Sequence, residues 1–312
     1  MLFVNGCSKP DVGEGWRTTE DQVAIVAQSQ ESILTIGDID PDTPVHRMNQ
    51  IRPLANYLAR NLGWEDTNRV RIRIARSVDE MALMIQDGRV DIFMDSIYPT
   101  LAVRRTTGTQ VIAESIIGGE RSYHTLLVAG RTTGLNNLSD LVGHTIALQD
   151  RNSTSGYMLP AGLLLTSGFS IVQMTGPAQS PPSGQIGYFF SGDEENTLSM
   201  IRNGVIEAGA ISVLDYDLLP PEIREELVIL GRSPEVPRKL TSVASTMSEE
   251  LVARITAILL AITDADLERM ARDQGQYVTP WKWHFRASNQ DTDIEIAKFE
   301  TLMDLVEGVE SD

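Results

Sequence analysis

A short run of small polar residues, Asn-Ser-Thr-Ser-Gly-Tyr at positions 152–157, is the part of this sequence best suited to bind a ligand. It lies between a strand pattern at residues 143–148 and a continuous apolar run at residues 158–165 that predicts a buried helix. A helix start leaves backbone N–H groups without partners and carries a partial positive charge. This turn could therefore bind an anion without Lys or Arg.

The side chains of this turn add to the prediction of an anion site. The hydroxyls of Ser153, Thr154 and Ser155 would donate hydrogen bonds, and Gly156 would let the backbone approach the ligand closely. The alternative is that Ser153 or Thr154 is only a helix N-cap, a role that such residues fill in many domains. Tyr157 could cover the bound ligand or pack in the core.

The composition argues against several classes of protein. The chain has 312 residues, enough for two domains with cores of their own. Its formal net charge of −17 and pI of about 4.6 argue against a nucleic-acid partner. The single cysteine excludes an internal disulfide and a multi-cysteine metal site. No apolar run is long enough to span a bilayer.

No motif indicates catalysis. The four histidines are scattered and lack the i, i+4 spacing of helical metal ligands. The nucleophile motif Gly-x-Ser-x-Gly and glycine-rich nucleotide loops are absent from the sequence. We therefore expect neither an enzyme nor a bound metal or cofactor.

The cysteine, Cys7, follows Gly6 after a short apolar stretch, which looks like the end of a bacterial lipoprotein signal. Lipidation of Cys7 would anchor the chain to a membrane. Residues 1–30 would then be a truncated signal followed by a flexible tether. The alternative is a free cysteine in a disordered terminus.

The segment around the polar run resembles the substrate-binding proteins of phosphate, phosphite and phosphonate ABC importers. In that family a SLADLKGK segment is followed by a strand and by an SSTSGY loop whose hydroxyls and amides bind the phosphorus oxyanion. Here Leu-Ser-Asp-Leu-Val-Gly at residues 138–143 and the run at residues 152–157 match these motifs in type and spacing. A weaker likeness extends from about residue 33 to residue 262, which covers most of the chain.

The resemblance implies an α/β, two-lobe periplasmic-binding-protein fold of type II, in which each lobe is a mostly parallel sheet flanked by helices. Alternating strand and helix patterns in the sequence also favour an α/β lobe with a largely parallel sheet. We expect residues 31–120 and 234–312 to form lobe 1, and residues 121–233 to form lobe 2. Two hinge crossings, near residues 115–121 and 232–237, would join the lobes.

The first lobe should contribute residues to the same cleft. In open parallel sheets the ligand binds beyond the carboxyl ends of the strands, so the turns at residues 38–43 and 95–100 should face each other there. Asp95 is unusual in this position because a carboxylate repels an oxyanion. It either accepts a hydrogen bond from a backbone amide at the next helix start or binds an ammonium group of the ligand. The other candidates from this lobe are Thr43, Ser96 and Tyr98, the last as a cover for the ligand.

Two further positions depart from the family pattern. Glu194 stands where the family commonly has a ligand-contacting His, and Ser212 stands where it has an Asp suited to a protonated ligand oxygen. Asp215 or Asp217 could take over the role of that Asp, or the alignment could be slipped by one or two residues. Glu194 could also be a solvated carboxylate at a helix start.

We therefore expect an extracytoplasmic substrate-binding component of an ABC importer, which captures a small phosphorus oxyanion between two closing lobes. Its partners would be the permease and ATPase subunits, and a lipid anchor would be its only contact with the membrane. One alternative is a sensory domain that reports the ligand without transport. The other is a binding protein for a different small ligand that carries an amine.

Overall fold

The computed structural model describes residues 33–41, 43–273 and 283–310 of the chain. The predictions for residues 1–30, including the lipidated Cys7, lie outside these residues. The strands are β1 (Leu34–Ile39), β2 (Val70–Ala75), β3 (Ile92–Asp95), β4 (Gln110–Ile117), β5 (Ser122–Tyr123), β6 (Thr125–Gly130), β7 (Thr145–Leu148), β8 (Ser170–Gln173), β9 (Gln185–Phe190), β10 (Ala208–Ser212), β11 (Leu227–Arg232), β12 (Val236–Pro237), β13 (Lys239–Val243) and β14 (Trp283–Ala287). The α-helices are α1 (Pro44–Asn61), α2 (Val78–Gln86), α3 (Ile97–Thr107), α4 (Leu159–Thr166), α5 (Glu194–Arg202), α6 (Val213–Leu218), α7 (Pro221–Glu225), α8 (Glu249–Leu260), α9 (Asp264–Asp273) and α10 (Gln290–Glu310).

Most of these strands form two six-stranded sheets, and each sheet with its helices is a lobe. The sheet of lobe 1 has the order β14-β4-β13-β3-β1-β2, and the sheet of lobe 2 has the order β11-β6-β10-β7-β9-β8. Three neighbouring strands of the lobe 1 sheet, β3-β1-β2, are parallel, and so are four of the lobe 2 sheet, β10-β7-β9-β8. The remaining strands, β14-β4-β13 in lobe 1 and β11-β6 in lobe 2, pair antiparallel with each other and with the neighbouring parallel strand.

Local signals in the sequence explain several helix limits. The Ser77 hydroxyl accepts a hydrogen bond from the Glu80 N–H at 3.2 Å and caps α2, which has the limits that the apolar spacing predicts. Gly108 ends α3 in the left-handed conformation with φ of 67°, which glycine adopts without steric cost. Along the described chain, no helix is long and apolar enough to cross a membrane.

The two connections between the sheets run side by side. β5 pairs antiparallel with β12, with Tyr123 opposite Val236. Residues 115–117 of the predicted first crossing belong to β4, which pairs at Ile117 with Trp283 of β14, and the connection to β5 begins at residue 118. The strands of the first sheet come from residues 34–117 and 239–287, and those of the second from residues 125–232. The lobe limits drawn from the sequence remain a prediction.

The C-terminal helix α10 contacts a helix of each lobe, α3 and α4. Its apolar residues Phe299 and Met303 are buried in one cluster with Leu101 of α3 and Leu164 of α4. The packing against α4 is so close that a Cβ on Gly162 would lie 2.4 Å from Leu302 Cδ1. Helix α10 therefore packs against both lobes and also contacts the crossing strand β12.

The aromatic segment near the C-terminus packs inward. Trp283 and Phe285 are 4% and 7% exposed in β14, with ring centroids 6.2 Å apart. Both rings belong to the buried apolar cluster of lobe 1.

Candidate ligand-binding cleft

A cleft of about 1440 Å³ is lined by residues of both lobes. Its lining includes residues at or just beyond the carboxyl ends of parallel strands of the two sheets, as the topology requires. These residues are Ile39 at the end of β1, Asp95 and Ser96 at and after the end of β3, Asp150 after β7, Gly192 after β9 and Ser212 at the end of β10.

The predicted polar turn lies in this cleft, where a π-helical turn over Thr154–Met158 leads into α4. The Ser153 hydroxyl accepts a hydrogen bond from the Gly156 N–H at 2.9 Å and donates one to Gln149 Oε1 at 2.6 Å. Ser153 is thus the N-cap of this turn, as the alternative interpretation held, and it also lines the cleft. The glycine is needed because a Cβ on Gly156 would lie 2.2 Å from Gln149 Cβ. The close approach that the structure shows at this glycine is to Gln149.

The Thr154 hydroxyl joins this turn to lobe 1. It accepts a hydrogen bond from the Tyr98 N–H at 3.1 Å and donates one to Ser96 Oγ at 2.9 Å. Thr154 is only 2% exposed. Ser155 lines the cleft next to it, and its carbonyl oxygen accepts a hydrogen bond from the Thr125 hydroxyl at 2.6 Å. The three predicted hydroxyl residues are thus together in the cleft, and each of the three hydroxyls is also bonded to a protein group.

Tyr123 of β5 is a cleft residue that the sequence did not reveal as one. Its hydroxyl hydrogen-bonds with the side chains of Thr154 and Ser155, and burial raises the pKa of Tyr123 above its ordinary value. The phenol is therefore neutral at physiological pH and can donate a hydrogen bond. Tyr123 reaches the polar turn because it lies on β5, one of the two crossing strands. No local sequence motif marks this strand as part of a ligand site.

Asp95 accepts a hydrogen bond from a backbone amide at the next helix start, which is the first of the two roles expected for it. Its Oδ1 accepts from the Ser96 N–H at 2.6 Å, at the start of α3, and lies 4.0 Å from Lys239 Nζ. Burial, helped by the neighbouring Asp38 carboxylate, raises the pKa of Asp95 to about 6 against the opposing effects of Lys239, the Ser96 N–H and Arg47.

A charged cluster of lobe 1, absent from the sequence predictions, surrounds Asp95. Lys239 Nζ lies 3.1 Å from Asp38 Oδ2, and Arg47 Nε lies 3.9 Å from the same oxygen. Both cations line the cleft, whereas Asp38 is fully buried beneath them. Lys239 Nζ also lies 5.4 Å from the centre of the Trp283 ring. These residues are far apart in sequence and only the sheet order brings them together.

Glu194 and Ser212 form a second polar group on the lobe 2 side. The Ser212 hydroxyl caps α6 by accepting from the N–H groups of Leu214 and Asp215, and the Ser212 N–H donates to Glu194 Oε1 at 2.8 Å. Burial, together with the adjacent Asp215 carboxylate, raises the pKa of Glu194 to about 9. Glu194 is thus at a helix start, as expected, but it is protonated and half-buried and not a solvated carboxylate. Asp215 lines the cleft with Ser212.

Three other predicted ligand residues have side chains outside the cleft lining. The Thr43 hydroxyl donates to Asp40 Oδ2 at 3.0 Å, so it serves the turn before α1. Tyr157 is 1% exposed, and its ring lies 5.2 Å from Phe190 and packs in the core of lobe 2. The side chain of Tyr98 is also buried, and the contact of this residue with Thr154 is the hydrogen bond from its backbone N–H. Packing is the interpretation that describes both tyrosines.

No metal centre is present among the residues that the structure describes: no group of three or more His, Cys, Asp or Glu side chains is arranged to hold an ion. The cleft instead offers hydroxyls, helix-start amides and paired charges, which suit the binding of a charged ligand by hydrogen bonds.

Comparison with known proteins identifies the family of the chain. Residues 39–281, most of the chain, match the family described as ABC transporter, phosphonate, periplasmic substrate-binding protein. The chain belongs to this family. The resemblance inferred from residues 138–143 and 152–157 is thereby confirmed.

Individual relatives show the same relationship. The phosphonates-binding periplasmic protein of Escherichia coli is 24% identical over 222 residues, which cover 68% of this chain and 60% of that protein. The matched part is therefore less than two thirds of the length of that relative. Structures of XAC2383 from Xanthomonas citri, solved with chloride and with ATP, are 26% identical, with TM-scores of 0.78 and 0.77, and cover 90% of this chain and 99% and 98% of the solved chains.

A more distant solved structure shares the fold. PhnD1 from Prochlorococcus marinus, in complex with methylphosphonate, is 15% identical with a TM-score of 0.63 over 88% of this chain and 97% of that one. The predicted two-lobe fold of periplasmic binding proteins is thus confirmed, with sheets that are mixed rather than purely parallel.

Proposed function

We propose that this chain is the substrate-binding component of an ABC importer and that it captures a phosphorus oxyanion in the cleft between its lobes. The observation that carries the proposal is the position of the polar turn: residues 153–155 line the cleft at a helix start, beside the neutral hydroxyl of Tyr123. Hydroxyl and amide donors can bind an oxyanion in an acidic protein without a long-range positive field.

Two relatives support this ligand class. The Escherichia coli relative is described as phosphonates-binding, and the Prochlorococcus marinus structure was solved with methylphosphonate. The hinge crossings β5 and β12 would let the lobes open to admit such a ligand and close on it. Closure would create the surface that the permease and its ATPase recognise.

The location of the protein follows from the same role. An importer component of this kind acts outside the cytoplasmic membrane, and lipidation of Cys7 would hold it there. A sensory role without transport is the alternative, and genes for a permease and an ATPase beside this gene would favour the importer.

A larger phosphorylated ligand is a second candidate because of the size of the cleft. Its volume of about 1440 Å³ exceeds the roughly 300–1,000 Å³ of common small-molecule sites. One of the structures of the Xanthomonas citri protein was solved with ATP.

The test is thermal unfolding of the purified chain with phosphate, phosphite, methylphosphonate, 2-aminoethylphosphonate or ATP. A ligand that binds only the folded state raises stability by about 2.7 kcal/mol at one hundred times its Kd. We expect a phosphorus oxyanion to raise the Tm and the Ser155→Ala variant to lose most of that rise. Ser139→Ala is the control, because Ser139 is exposed in a family motif outside the cleft lining.

Three outcomes would decide between the candidates. A rise in Tm with ATP but with none of the smaller compounds would favour the larger ligand. An unchanged Tm with every compound would overturn the proposed ligand class. An unchanged response of Ser155→Ala would place the oxyanion elsewhere in the cleft.

A further inference from the structure

The wall of the cleft that lobe 1 and the second crossing provide is cationic. Arg47, Arg238 and Lys239 line it, and Asp95 is the carboxylate that lines it beside them. The polar turn of lobe 2 at residues 153–155 uses neutral hydroxyls and amides. The two sides of the cleft therefore offer different chemistry to a ligand.

The main counter-ion of these cations lies behind them. The side chains of Arg47 and Lys239 are 27% and 13% exposed, whereas the side chain of Asp38 is 1% exposed. Lys239 has three N–H donors, of which one is directed at Asp38 at 3.1 Å. Arg47 Nε is buried 3.9 Å from Asp38 and 3.4 Å from Asp40, and Arg47 Nη1 donates to Gln50 Oε1 at 3.2 Å. Both side chains line the cleft, so the donors of Lys239 that are not directed at Asp38 can reach a ligand there.

The cations are separated from the polar turn by two residues of lobe 1. Thr154 contacts Ser96, the Ser96 N–H donates to Asp95, and Asp95 lies 4.0 Å from Lys239. An anionic group at the cations and an oxyanion at the turn would therefore be different groups. Apolar atoms of Ile39, Pro99 and Trp283 also line the cleft and could contact an organic spacer.

We propose that the ligand is an organophosphorus compound with a second acidic group, which Arg47 and Lys239 bind while residues 153–155 bind the phosphorus oxyanion. This inference rests on the proposed function for the phosphorus group. It argues against a ligand that binds Asp95 through an amine, because an ammonium group there would also lie next to the positively charged Lys239 and be repelled by it.

Three compounds that differ in the group attached to the phosphonate test the inference: methylphosphonate, phosphonoacetate and 2-aminoethylphosphonate. Isothermal titration of the unmodified chain should give a Kd for phosphonoacetate at least about tenfold below that for methylphosphonate, with 2-aminoethylphosphonate the weakest. Equal affinities, or tightest binding of the amine, would overturn the inference and leave the proposed function intact. If none of the three binds, the inference falls, and the thermal melts with phosphate, phosphite and ATP decide whether the proposed function falls with it.

Variants locate the second group. Arg47→Gln should lower the affinity for phosphonoacetate about tenfold more than that for methylphosphonate, and Arg47→Lys should recover part of the loss. Arg52→Gln is the matched control on α1, because Arg52 Nη1 donates to the Val70 carbonyl outside the cleft lining. An equal loss for both ligands in Arg47→Gln would place the phosphorus group itself at Arg47 and overturn the assignment. Thermal melts of each variant show that it is folded.

Discussion

The backbone N–H of Tyr98 donates to the hydroxyl of Thr154 across the cleft, at 3.1 Å. The start of α3 in lobe 1 and the polar turn of lobe 2 are therefore in direct contact. A hydroxyl that the sequence assigns to the ligand also holds the two lobes together.

Replacing this hydroxyl should affect both stability and binding. Thr154→Val keeps the shape of the side chain but leaves the buried Tyr98 N–H without a partner, which costs about 1–3 kcal/mol. We expect a lower Tm and about tenfold weaker methylphosphonate binding, measured by thermal melts and titration. Thr197→Val is the control, since its buried hydroxyl bonds within lobe 2 to Ser191. Equal affinities of the two variants would show that the contact between the lobes does not influence binding.

Glu194→Gln should stabilise the protein increasingly as the pH rises. Because the folded-state pKa of Glu194 is raised to about 9, its contribution to stability is largest below its unfolded pKa and is lost as the pH rises toward 9. Gln reproduces the protonated carboxyl without this loss. We expect the free energy of unfolding of the variant, relative to the parent, to rise by up to about 4 kcal/mol between pH 6 and pH 9, with a corresponding rise in relative Tm. A difference in Tm that does not change over this range would contradict the raised pKa.

Asp95→Asn should remove a pH dependence at lower pH. The pKa of Asp95 is raised to about 6, so its contribution is present below the unfolded pKa near 4 and is lost as the pH rises through 6. Asn keeps an acceptor for the Ser96 N–H. From pH 4 to pH 7 the free energy of unfolding of the variant, relative to the parent, should increase by up to about 3 kcal/mol. Its Tm relative to the parent should increase accordingly. A decrease over that range would mean that the ion pair with Lys239 outweighs burial.

Gly162→Ala should destabilise the protein although Ala favours helix more than Gly. The new Cβ would lie 2.4 to 2.8 Å from three atoms of Leu302, so α10 or its side chain must move, at a cost of about 1–3 kcal/mol. The double variant Gly162→Ala with Leu302→Ala should show a smaller loss than the sum of the two single losses in denaturant unfolding. Strict additivity would show that the two helices do not press on each other here.

Regular patterns made much of the fold predictable. The helix at Val78–Gln86 and the strand at Ala208–Ser212 follow from local apolar spacing. The strands β13 and β14 did not, because Lys239–Val243 and Trp283–Ala287 gain their conformation from pairing with β4, a partner far away in sequence. Long-range pairing overrides weak local signals in such strands.

The candidate site divides in the same way. The hydroxyl turn was predictable because its residues are contiguous and belong to a known motif. Tyr123, Arg47 and Lys239 were not, since they come from a hinge strand, a helix start and the residue after the second crossing. Thr43 lies outside the cleft lining, and its hydroxyl donates to the nearby Asp40, a contact that no spacing rule predicts.

The position of α10 has a consequence for the rate at which the cleft opens. Arg105 of α3 pairs with Asp304 and Glu307 of α10 at 2.6 and 2.8 Å, whereas Leu302 packs against Gly162 of α4. If the lobes separate, α10 must lose its contacts with either α3 or α4. The ion pairs with Arg105 of α3 are partly exposed, so salt screens and weakens them. We therefore expect ligand exchange to quicken as the ionic strength of the surrounding medium increases.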